Sequence, residues 1–379
     1  MTAELVDTAL PETALVFGSL PPGWRDLDLL VRPAAERALE EALAAGGYAR
    51  RHRSWARFGT GTAHVVDLIP VRRWDVPVDE LFATALPIEG YVRLVRPAPW
   101  AALLIAARRG LMDGRRRARI DAVLAEDPGA WERARAAAPA WRAVEALDRL
   151  EAAYRSGAVL ARRPKRERGH VVAISGLDGS GKSSQAEALR DALIAAKVDA
   201  VVEWRRLSQN EALDAIARPV KRLLGRSRTE TKPVAYSRTE RDAASLARQR
   251  SRVATAVWAQ VVAVTHSLSQ RAAVRPHLKA GRVVICDRYT LDSLVNLRFR
   301  YGAGGLAVRL LTPRATRAFY LDIPPEESLR RKDDGYTIEQ LRGQHELYDR
   351  MARGVIRLDG TRPFDDLATD IAAEVWRAI

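Results

Sequence analysis

The stretch from Gly176 to Ser184 constrains the fold of this chain more than any other; it reads Gly-Leu-Asp-Gly-Ser-Gly-Lys-Ser-Ser. It follows an apolar, β-branched run at 170–174, which is typical of a buried parallel strand. The residues at 185–194 then repeat apolar side chains at helical spacing. Strand, glycine-rich turn and helix therefore occur in the order that a G-x-x-x-x-G-K-[ST] phosphate loop requires.

The residue types in this loop suit the binding of a phosphate. Glycine at Gly176, Gly179 and Gly181 allows successive N–H groups to turn toward one anion at a helix N-terminus. Lys182 adds a positive charge, and the hydroxyl of Ser183 suits Mg²⁺. The alternative is an ordinary glycine-rich turn with an exposed lysine. The agreement of the full motif with its flanking elements favours the phosphate loop.

Composition describes a globular chain with room for more than one core. The chain has 379 residues, of which 47% are hydrophobic and 29% charged, enough for two or three domains. Apolar runs end before membrane-spanning length, and the first residues lack a basic region followed by an apolar core. We therefore expect a cytoplasmic protein. Cys286 is the only cysteine, which excludes an internal disulfide or a cysteine-based zinc cluster.

The net charge of +15 raises the question of a nucleic-acid partner. Aromatic residues make up 6% of the chain and do not alternate with the basic clusters, as a base-stacking platform would need. The excess of arginine and alanine is also a bias that genome composition can produce. We expect small phosphorylated partners rather than a nucleic acid or a membrane.

Three carboxylates stand out in the N-terminal part. Alternation along a predicted strand at 26–31 sends Asp26 and Asp28 to the same face. Asp67 lies in an apolar strand at 63–71, where a carboxylate is costly unless it meets a cation or strong donors. Carboxylate oxygens are the ligands that hard divalent cations prefer. Asp26, Asp28 and Asp67 are therefore a candidate metal site.

The segment 14–71 resembles the nucleotidyltransferase fold of the polymerase-β type. The residues that match that family's pattern are Gly18, Ser19, Asp26, Asp28 and Asp67. The resemblance implies a Gly-Ser turn that holds a nucleoside triphosphate and acids that hold two metals for displacement at phosphorus. The gap between turn and acids is shorter than usual and contains Pro21-Pro22. Alternatively, the first two acids border a turn and the third pairs with an arginine.

Residues 97–157 predict helices, and a charged stretch at 161–169 predicts a domain boundary. The cluster 115–117, three consecutive arginines, either faces an anion or forms a solvated helix start, and we expect the second. The expected organisation is a nucleotidyltransferase-like α/β domain at 1–125, a helical extension with a basic linker at 126–169, and a second α/β domain at 170–379.

An acidic residue ends an apolar strand in this last part. Four apolar residues at 283–286 precede Asp287, so its carboxylate should emerge at the edge of a parallel sheet where ligands bind. There Asp287 can hold Mg²⁺ through water or accept a proton. Arg288, the next residue, can neutralise a phosphate.

Asp287-Arg288-Tyr289, together with the phosphate loop, resembles the thymidylate kinase family. The resemblance runs from about residue 171 to the C-terminus. It includes a strand, short helix and lid entry, a closing helix and a last strand, at 319–332, 342–351 and 357–360. It implies a P-loop kinase with a parallel sheet that uses ATP and Mg²⁺.

The resemblance also implies a role for each matching residue. Asp178 approaches the phosphate acceptor, Asp287 serves Mg²⁺ or the acceptor, and Arg288 binds the acceptor phosphate. Arg330 and Arg331 close over the transferred group as lid arginines, although a solvated helix face is the alternative for both. The implied ATP-binding residues are Gly176, Asp178, Gly179, Ser180, Gly181, Lys182, Ser183 and Ser184, the implied catalytic residues are Lys182, Asp287, Arg288, Arg330 and Arg331, and the implied Mg²⁺ ligands are Ser183 and Asp287.

Departures from the family pattern leave the acceptor open. The place of the family's Arg-Glu-Pro-Gly segment is taken by residues 203–208, which keep arginines but lose Pro-Gly. Alignment through Pro276 puts His266 where the family has a base-contacting arginine. The span from Lys182 to Asp287 is also longer than in the family, with the extra residues around 221–252.

The sequence thus predicts ATP- and Mg²⁺-dependent phosphoryl transfer to a small phosphorylated acceptor, most simply a nucleoside monophosphate. One alternative is a nucleotide-regulated binding protein in which the phosphate loop acts as a switch. Another is a bifunctional protein with nucleotidyl transfer in the N-terminal domain. The family resemblance also leaves a homodimer open.

Overall fold

The computed structural model describes residues 2–17, 26–70, 76–110, 112–160, 168–204, 252–301, 305–332 and 335–379. The main chain divides into two compact units, Met1–Arg57 with Ala63–Lys165 and Phe58–Thr62 with Arg166–Ile379. No helix within the described ranges is long and apolar enough to span a membrane.

Several residues that the sequence singles out lie outside the described ranges. They are Gly18 and Ser19 of the nucleotidyltransferase pattern, most of the basic linker at 161–169, the arginines within 203–208, and nearly all of the extra length at 221–252.

The N-terminal part of the chain forms a seven-stranded mixed sheet with helices. Its strand order is β3-β4-β5-β2-β1-β7-β6. The strand β1 runs antiparallel to β2 and parallel to β7, and β2 runs parallel to β5. The elements are α1 (Thr2–Ala9), β1 (Ala14–Phe17), β2 (Asp26–Leu30), α2 (Pro33–Ala45), β3 (Ala49–Arg51), β4 (Ser54–Gly59), β5 (Thr62–Ile69), α3 (Val78–Ala83), β6 (Leu86–Pro87), β7 (Leu94–Arg96), α4 (Pro99–Arg109), α5 (Gly114–Glu126), α6 (Ala130–Ala137) and α7 (Val144–Ser156).

The alternation predicted for this sheet sorts its side chains onto two cores. Leu27 and Leu29 of β2 are buried in one cluster with Leu39 of α2. Leu15 and Phe17 of β1 belong to a second cluster, which contains side chains of α4 to α7. Burial of apolar side chains on both faces stabilises the sheet, since each buried leucine contributes roughly 1.5–3 kcal/mol.

The second unit carries a five-stranded sheet with the order β12-β11-β8-β10-β9. All of its strand pairs are parallel. The elements are β8 (His170–Gly176), α8 (Lys182–Ala195), β9 (Ala200–Trp204), α9 (Arg252–Lys279), β10 (Val283–Asp287), α10 (Thr290–Tyr301), α11 (Gly305–Leu311), β11 (Arg317–Asp322), α12 (Pro325–Arg331), α13 (Ile338–Met351), β12 (Ile356–Asp359) and α14 (Phe364–Ala378).

The central strands of this sheet are buried along almost their whole length. All five residues of β10 are buried, and in β8 only His170 is half-exposed. Such continuous apolar strands are typical of a parallel sheet covered by helices on both faces. Parallel pairing brings the carboxyl ends of β8, β10 and β11 to one edge. The α/β fold class with a separate parallel sheet is therefore confirmed.

A carboxylate in α1 fixes the start of β7 in the first sheet. Asp7 accepts hydrogen bonds from the backbone N–H groups of Val92, Arg93 and Leu94, at 3.0, 2.6 and 2.8 Å. Leu94 is the first residue of β7, and it pairs with Ala14 of β1. One side chain thus satisfies three backbone donors at the entrance of the strand that lies second from one edge of the sheet.

Asp7→Ala should loosen this strand entrance, because three amides lose a charged acceptor. We expect a loss of about 1–3 kcal/mol in local stability. Hydrogen exchange followed by mass spectrometry should show faster exchange in peptides that contain residues 92–94. Glu89→Ala, which removes an exposed acid a few residues away, is the control. Equal exchange in the two variants would contradict the assigned role of Asp7.

Candidate functional site

The phosphate loop, residues 176–184, connects β8 to α8 at the carboxyl edge of the parallel sheet. Gly179 has a φ of +83°, a left-handed conformation that side chains rarely adopt. A Cβ atom at this position would also lie 3.1 Å from the carbonyl oxygen of Ser328. At Gly176 a Cβ atom would lie 2.6 Å from the carbonyl oxygen of Leu321. Glycine is favoured at Gly179 by its left-handed φ, and at Gly176 because the neighbouring backbone leaves no room for a Cβ atom.

The ammonium group of Lys182 lies inside this loop. The residue is 5% exposed, and its Nζ donates to the carbonyl oxygens of Gly176 and Leu177 at 2.9 and 2.6 Å. The same nitrogen lies 3.8 Å from Oδ1 of Asp178. A positive charge is therefore held at the centre of the loop, among groups with which a phosphate would compete.

Ser183 and Asp287 meet at the end of β10. The Ser183 hydroxyl donates to Oδ2 of Asp287 at 2.5 Å, and Asp287 is 2% exposed. Its Cα pairs with that of Ile174 in β8, so strand register brings it beside the loop. A hydroxyl and a carboxylate side by side are the oxygen donors that a hard divalent cation prefers. The two residues therefore fit Mg²⁺.

Arg288 occupies a strained turn directly after this strand. Its φ of +70° is left-handed, which costs a non-glycine residue roughly 1–3 kcal/mol. The backbone N–H of Arg288 donates to the carbonyl of Ile174 at 3.2 Å, and its guanidinium binds the carboxylate of Asp178. The fold thus brings together two residues for which the sequence predicts contact with a phosphate acceptor.

Asp292, which the sequence did not single out, ties the loop to this turn. The residue is 1% exposed. Its carboxylate accepts hydrogen bonds from the backbone N–H groups of Gly176 and Tyr289, at 3.4 and 3.2 Å, and from the Tyr348 hydroxyl at 2.8 Å. The one signal in the sequence is an acid among apolar residues at the start of a helix.

Tyr348 supports the same point from α13. Its hydroxyl also lies 3.1 Å from the carbonyl oxygen of Gly176, and its ring stacks on Tyr320 with a centroid distance of 5.1 Å. Burial, reinforced by the charge of Asp292, raises the pKa of the Tyr348 hydroxyl well above its ordinary value. The hydroxyl therefore stays protonated and serves as a donor.

The two predicted lid arginines differ in their surroundings. Arg330 and Arg331 both bind Glu327, each at 2.6 Å, and hydrogen bonds from them lower the pKa of Glu327 to about 2. The Arg330 side chain is 73% exposed. The side chain of Arg331 starts beside the loop, since its Cβ atom would lie 3.2 Å from a Cβ atom placed at Gly179. The hydroxyl of Ser328 fixes this helix to the loop through the carbonyl of Asp178, at 2.6 Å.

His266 is buried behind the Asp-Arg-Tyr turn. Its Nε2 lies 3.0 Å from the hydroxyl of Ser293, which donates to the carbonyl of Tyr289 at 2.8 Å. Because the serine hydroxyl uses its proton on that carbonyl, Nε2 is the donor to Ser293. His266 is thus a buried, hydrogen-bonded helix residue, as its position in an apolar helix predicts.

A group of polar residues at the end of β11 resembles a metal site but is an ion-pair network. Asp322, His345 and Asp349 are the one set among the described residues that brings three ligand atoms within 4.8 Å of one another. Arg357 binds both carboxylates, at 2.5 Å from Asp322 and 3.0 Å from Asp349. Burial raises the pKa of Asp322, but hydrogen bonds from Arg357 and His345 lower it by a larger amount. The pKa of Asp322 therefore lies below its ordinary value. The arginine already supplies the cation.

Curated thymidylate kinases align with this chain, whereas no protein-family profile matches it. The probable thymidylate kinase of Pyrococcus abyssi is 30% identical over 172 residues, 43% of this chain and 70% of the relative. The thymidylate kinase of Roseiflexus castenholzii is 31% identical over 179 residues, which are 46% of this chain and 67% of the relative. The probable thymidylate kinase 2 of Saccharolobus solfataricus is 26% identical over 234 residues, 54% and 94% of the two chains.

The chain belongs to the thymidylate kinase family. This confirms the resemblance of the C-terminal half, and the protein is a phosphotransferase of the nucleoside monophosphate kinase type. The roles of the individual site residues stay predictions.

The first unit of this thymidylate kinase family member contains Asp26, Asp28 and Asp67, the acidic residues that the sequence predicts as a metal site. The register of β2 and β5 sets Asp28 directly beside Asp67, and Asp26 beside Val65. Neighbouring positions in a parallel pair share a face, so the three carboxylates lie on one side of the sheet. They do not form a set with all ligand atoms within 4.8 Å among the described residues. The proposal of a metal site here stays a prediction.

Tyr348→Phe should weaken the support of the phosphate loop. The variant keeps the ring on Tyr320 but removes the hydroxyl that binds Asp292. We expect the KM for the phosphate donor to rise roughly tenfold, the value of one hydrogen bond to a charged group. Tyr154→Phe is the matched control, because the Tyr154 hydroxyl also binds a carboxylate, that of Asp121, in the first unit. A KM that changes no more than in the control would contradict this role.

Proposed function

We propose that the protein transfers the γ-phosphoryl group of ATP to a nucleoside monophosphate, with Mg²⁺ bound, and that thymidylate is the first acceptor to test. The observation that carries the proposal is the meeting of Lys182, Asp287 and Arg288 at one edge of the parallel sheet. In the reaction an oxygen of the acceptor phosphate bonds to the γ-phosphorus. The bond from that phosphorus to the β,γ-bridging oxygen breaks, and ADP leaves.

The phosphate loop would bind the phosphates of ATP. The loop leads into the start of α8, where the helix dipole favours an anion. Lys182 would exchange its carbonyl partners for β- and γ-phosphate oxygens. Ser183 and Asp287 would hold Mg²⁺, which neutralises charge on the triphosphate when bound. The work of the chain is then positioning and electrostatic stabilisation rather than covalent chemistry.

Arginines around the loop would bind the acceptor and the transferred group. Arg288 is fixed by its strained backbone and would exchange Asp178 for the acceptor phosphate. Arg330 and Arg331 would leave Glu327 to contact the transferred phosphoryl group, since both lie on the helix that contacts the loop. Arginines in that position stabilise negative charge in the transition state.

The acceptor is proposed from the names of the relatives, all thymidylate kinases or probable ones among those compared. His266 replaces the base-contacting arginine implied by the family resemblance, and it is bound to Ser293. A different base is therefore a real alternative to thymine. Production of ADP against a panel of nucleoside monophosphates would identify the acceptor.

Lys182→Ala should abolish this activity while the fold is kept. Loss of the charge at the centre of the loop should lower kcat roughly 100- to 1,000-fold, as for loss of one preorganised donor to a transition state. Lys279→Ala, an exposed lysine at the end of a helix, is the control. The measurement is acceptor-stimulated ADP release, with circular dichroism to check folding. Undiminished turnover in Lys182→Ala would refute the assignment, and ATP binding without turnover on any acceptor would favour the switch alternative.

A second activity, nucleotidyl transfer in the first unit, is supported by the register that puts Asp28 beside Asp67. The three carboxylates on this face fit divalent cations by donor type, and would hold them against a nucleoside triphosphate. The double change of Asp26 and Asp28 to Asn should then abolish release of pyrophosphate, whereas Asp148→Asn, on an exposed helix position, should not. Absence of any pyrophosphate release from the parent protein would end this proposal.

The cytoplasmic location and the homodimer that the sequence leaves open also belong to this proposal. Cell fractionation tests the first, and light scattering of the purified chain tests the second.

A further inference from the structure

A cavity of about 270 Å³ lies in the first unit, where α4 and α5 meet the end of β1. Its apolar lining includes Phe17 of β1, Leu103 of α4 and Ile120 of α5. Leu103 and Ile120 are buried in the core of this unit, so the floor of the cavity is fixed by packing. A concave site with an apolar floor is typical of small-molecule binding.

Arginines line this cavity in excess of acids. Four arginines and one glutamate contribute to its wall. Arg96 binds that glutamate, Glu126, through two hydrogen bonds of 3.0 and 2.5 Å. Among the described residues of the wall, Arg116 and Arg119 have no carboxylate of the wall as a partner. Arg116 forms an ion pair of 3.6 Å with Asp113, which lies outside the wall.

The spacing along α5 shows that these arginines are part of the cavity face. Arg116 precedes Arg119 by three residues and Ile120 by four, and Val123 follows them by four and three, so these side chains lie on one stripe of the helix. Arg119 has neither a hydrogen bond nor an ion pair within the described part of the chain. Arg116 and Arg119 therefore present cationic groups beside the apolar floor, where an anion can reach them.

We propose that this cavity binds a small organic phosphate, with its apolar part on the floor and its phosphate at the arginines. Guanidinium groups bind phosphate oxygens through paired, charge-assisted hydrogen bonds. The floor of the cavity also has a defined place on the sheet. Phe17 pairs with Asp28, which puts the floor on the sheet face that carries the candidate metal-binding carboxylates. The site is separate from the phosphate loop and does not depend on the proposed kinase reaction.

Binding of phenyl phosphate to the full chain tests this proposal. The titration is done in the Lys182→Ala background, so that the phosphate loop does not compete for the probe. Arg119→Gln should weaken binding roughly tenfold, the effect of losing one hydrogen bond to a charged group. Arg115→Gln is the matched control, because Arg115 belongs to the same arginine cluster but lies outside the cavity wall. Its affinity should stay within about twofold of the parent, since an exposed charge contributes little.

A second variant tests the cavity without changing charge. Ala106→Phe places a large side chain in the wall and should block binding while every arginine remains. Three results would overturn the proposal: no saturable binding in the parent, equal weakening in Arg119→Gln and Arg115→Gln, or unchanged binding in Ala106→Phe. Circular dichroism of each variant checks that the fold is retained.

Discussion

The carboxylate of Asp292 holds the phosphate loop and the Asp-Arg-Tyr turn in a fixed relation. A phosphate loop needs free N–H groups at its centre, so its ends must be fixed by other means. Here one buried carboxylate accepts from the first loop residue, Gly176, and from Tyr289 in the turn. Tyr348 completes the set of donors, which lets the charge remain buried. Residues from three chain segments are thereby held in one arrangement around the loop.

The strain at Arg288 depends on this arrangement. An arginine keeps a left-handed backbone conformation only where several surrounding contacts hold it there. The backbone N–H binds Ile174, the guanidinium binds Asp178, and the next N–H binds Asp292. Without these contacts the residue would relax toward an ordinary conformation and its side chain would leave the loop. The strain therefore aims a cation at the place where the acceptor phosphate is proposed to bind.

Local patterns in the sequence predicted the phosphate loop and the strand that ends at Asp287. They also predicted the alternation that places Asp28 and Leu29 on opposite faces of a strand. Such local patterns could not predict contacts between distant segments of the chain. Asp292 and Tyr348 come from different helices, and nothing near either residue reveals the other. The arginine cluster at 115–117 shows the same limit. The sequence predicted a solvated helix start, but Arg117 binds the carbonyls of Tyr154 and Ala153, whereas Arg116 faces the cavity. Tertiary packing, not composition, separates the three.

Most ion pairs on this surface contribute little to stability, since exposed pairs are worth about 0–1 kcal/mol. What distinguishes the phosphate loop is a carboxylate that is shared between two cations. Asp178 faces both Lys182 and Arg288, and one carboxylate cannot neutralise two cations. The dipole of the following helix adds to this excess. Glu327 likewise faces two arginines. At both places two cations share one carboxylate, so either cation can turn to a bound anion without leaving that carboxylate unpaired. In the cavity lined by α4 and α5, Arg119 has no carboxylate partner among the described residues, and there the phosphate of the proposed ligand would bind.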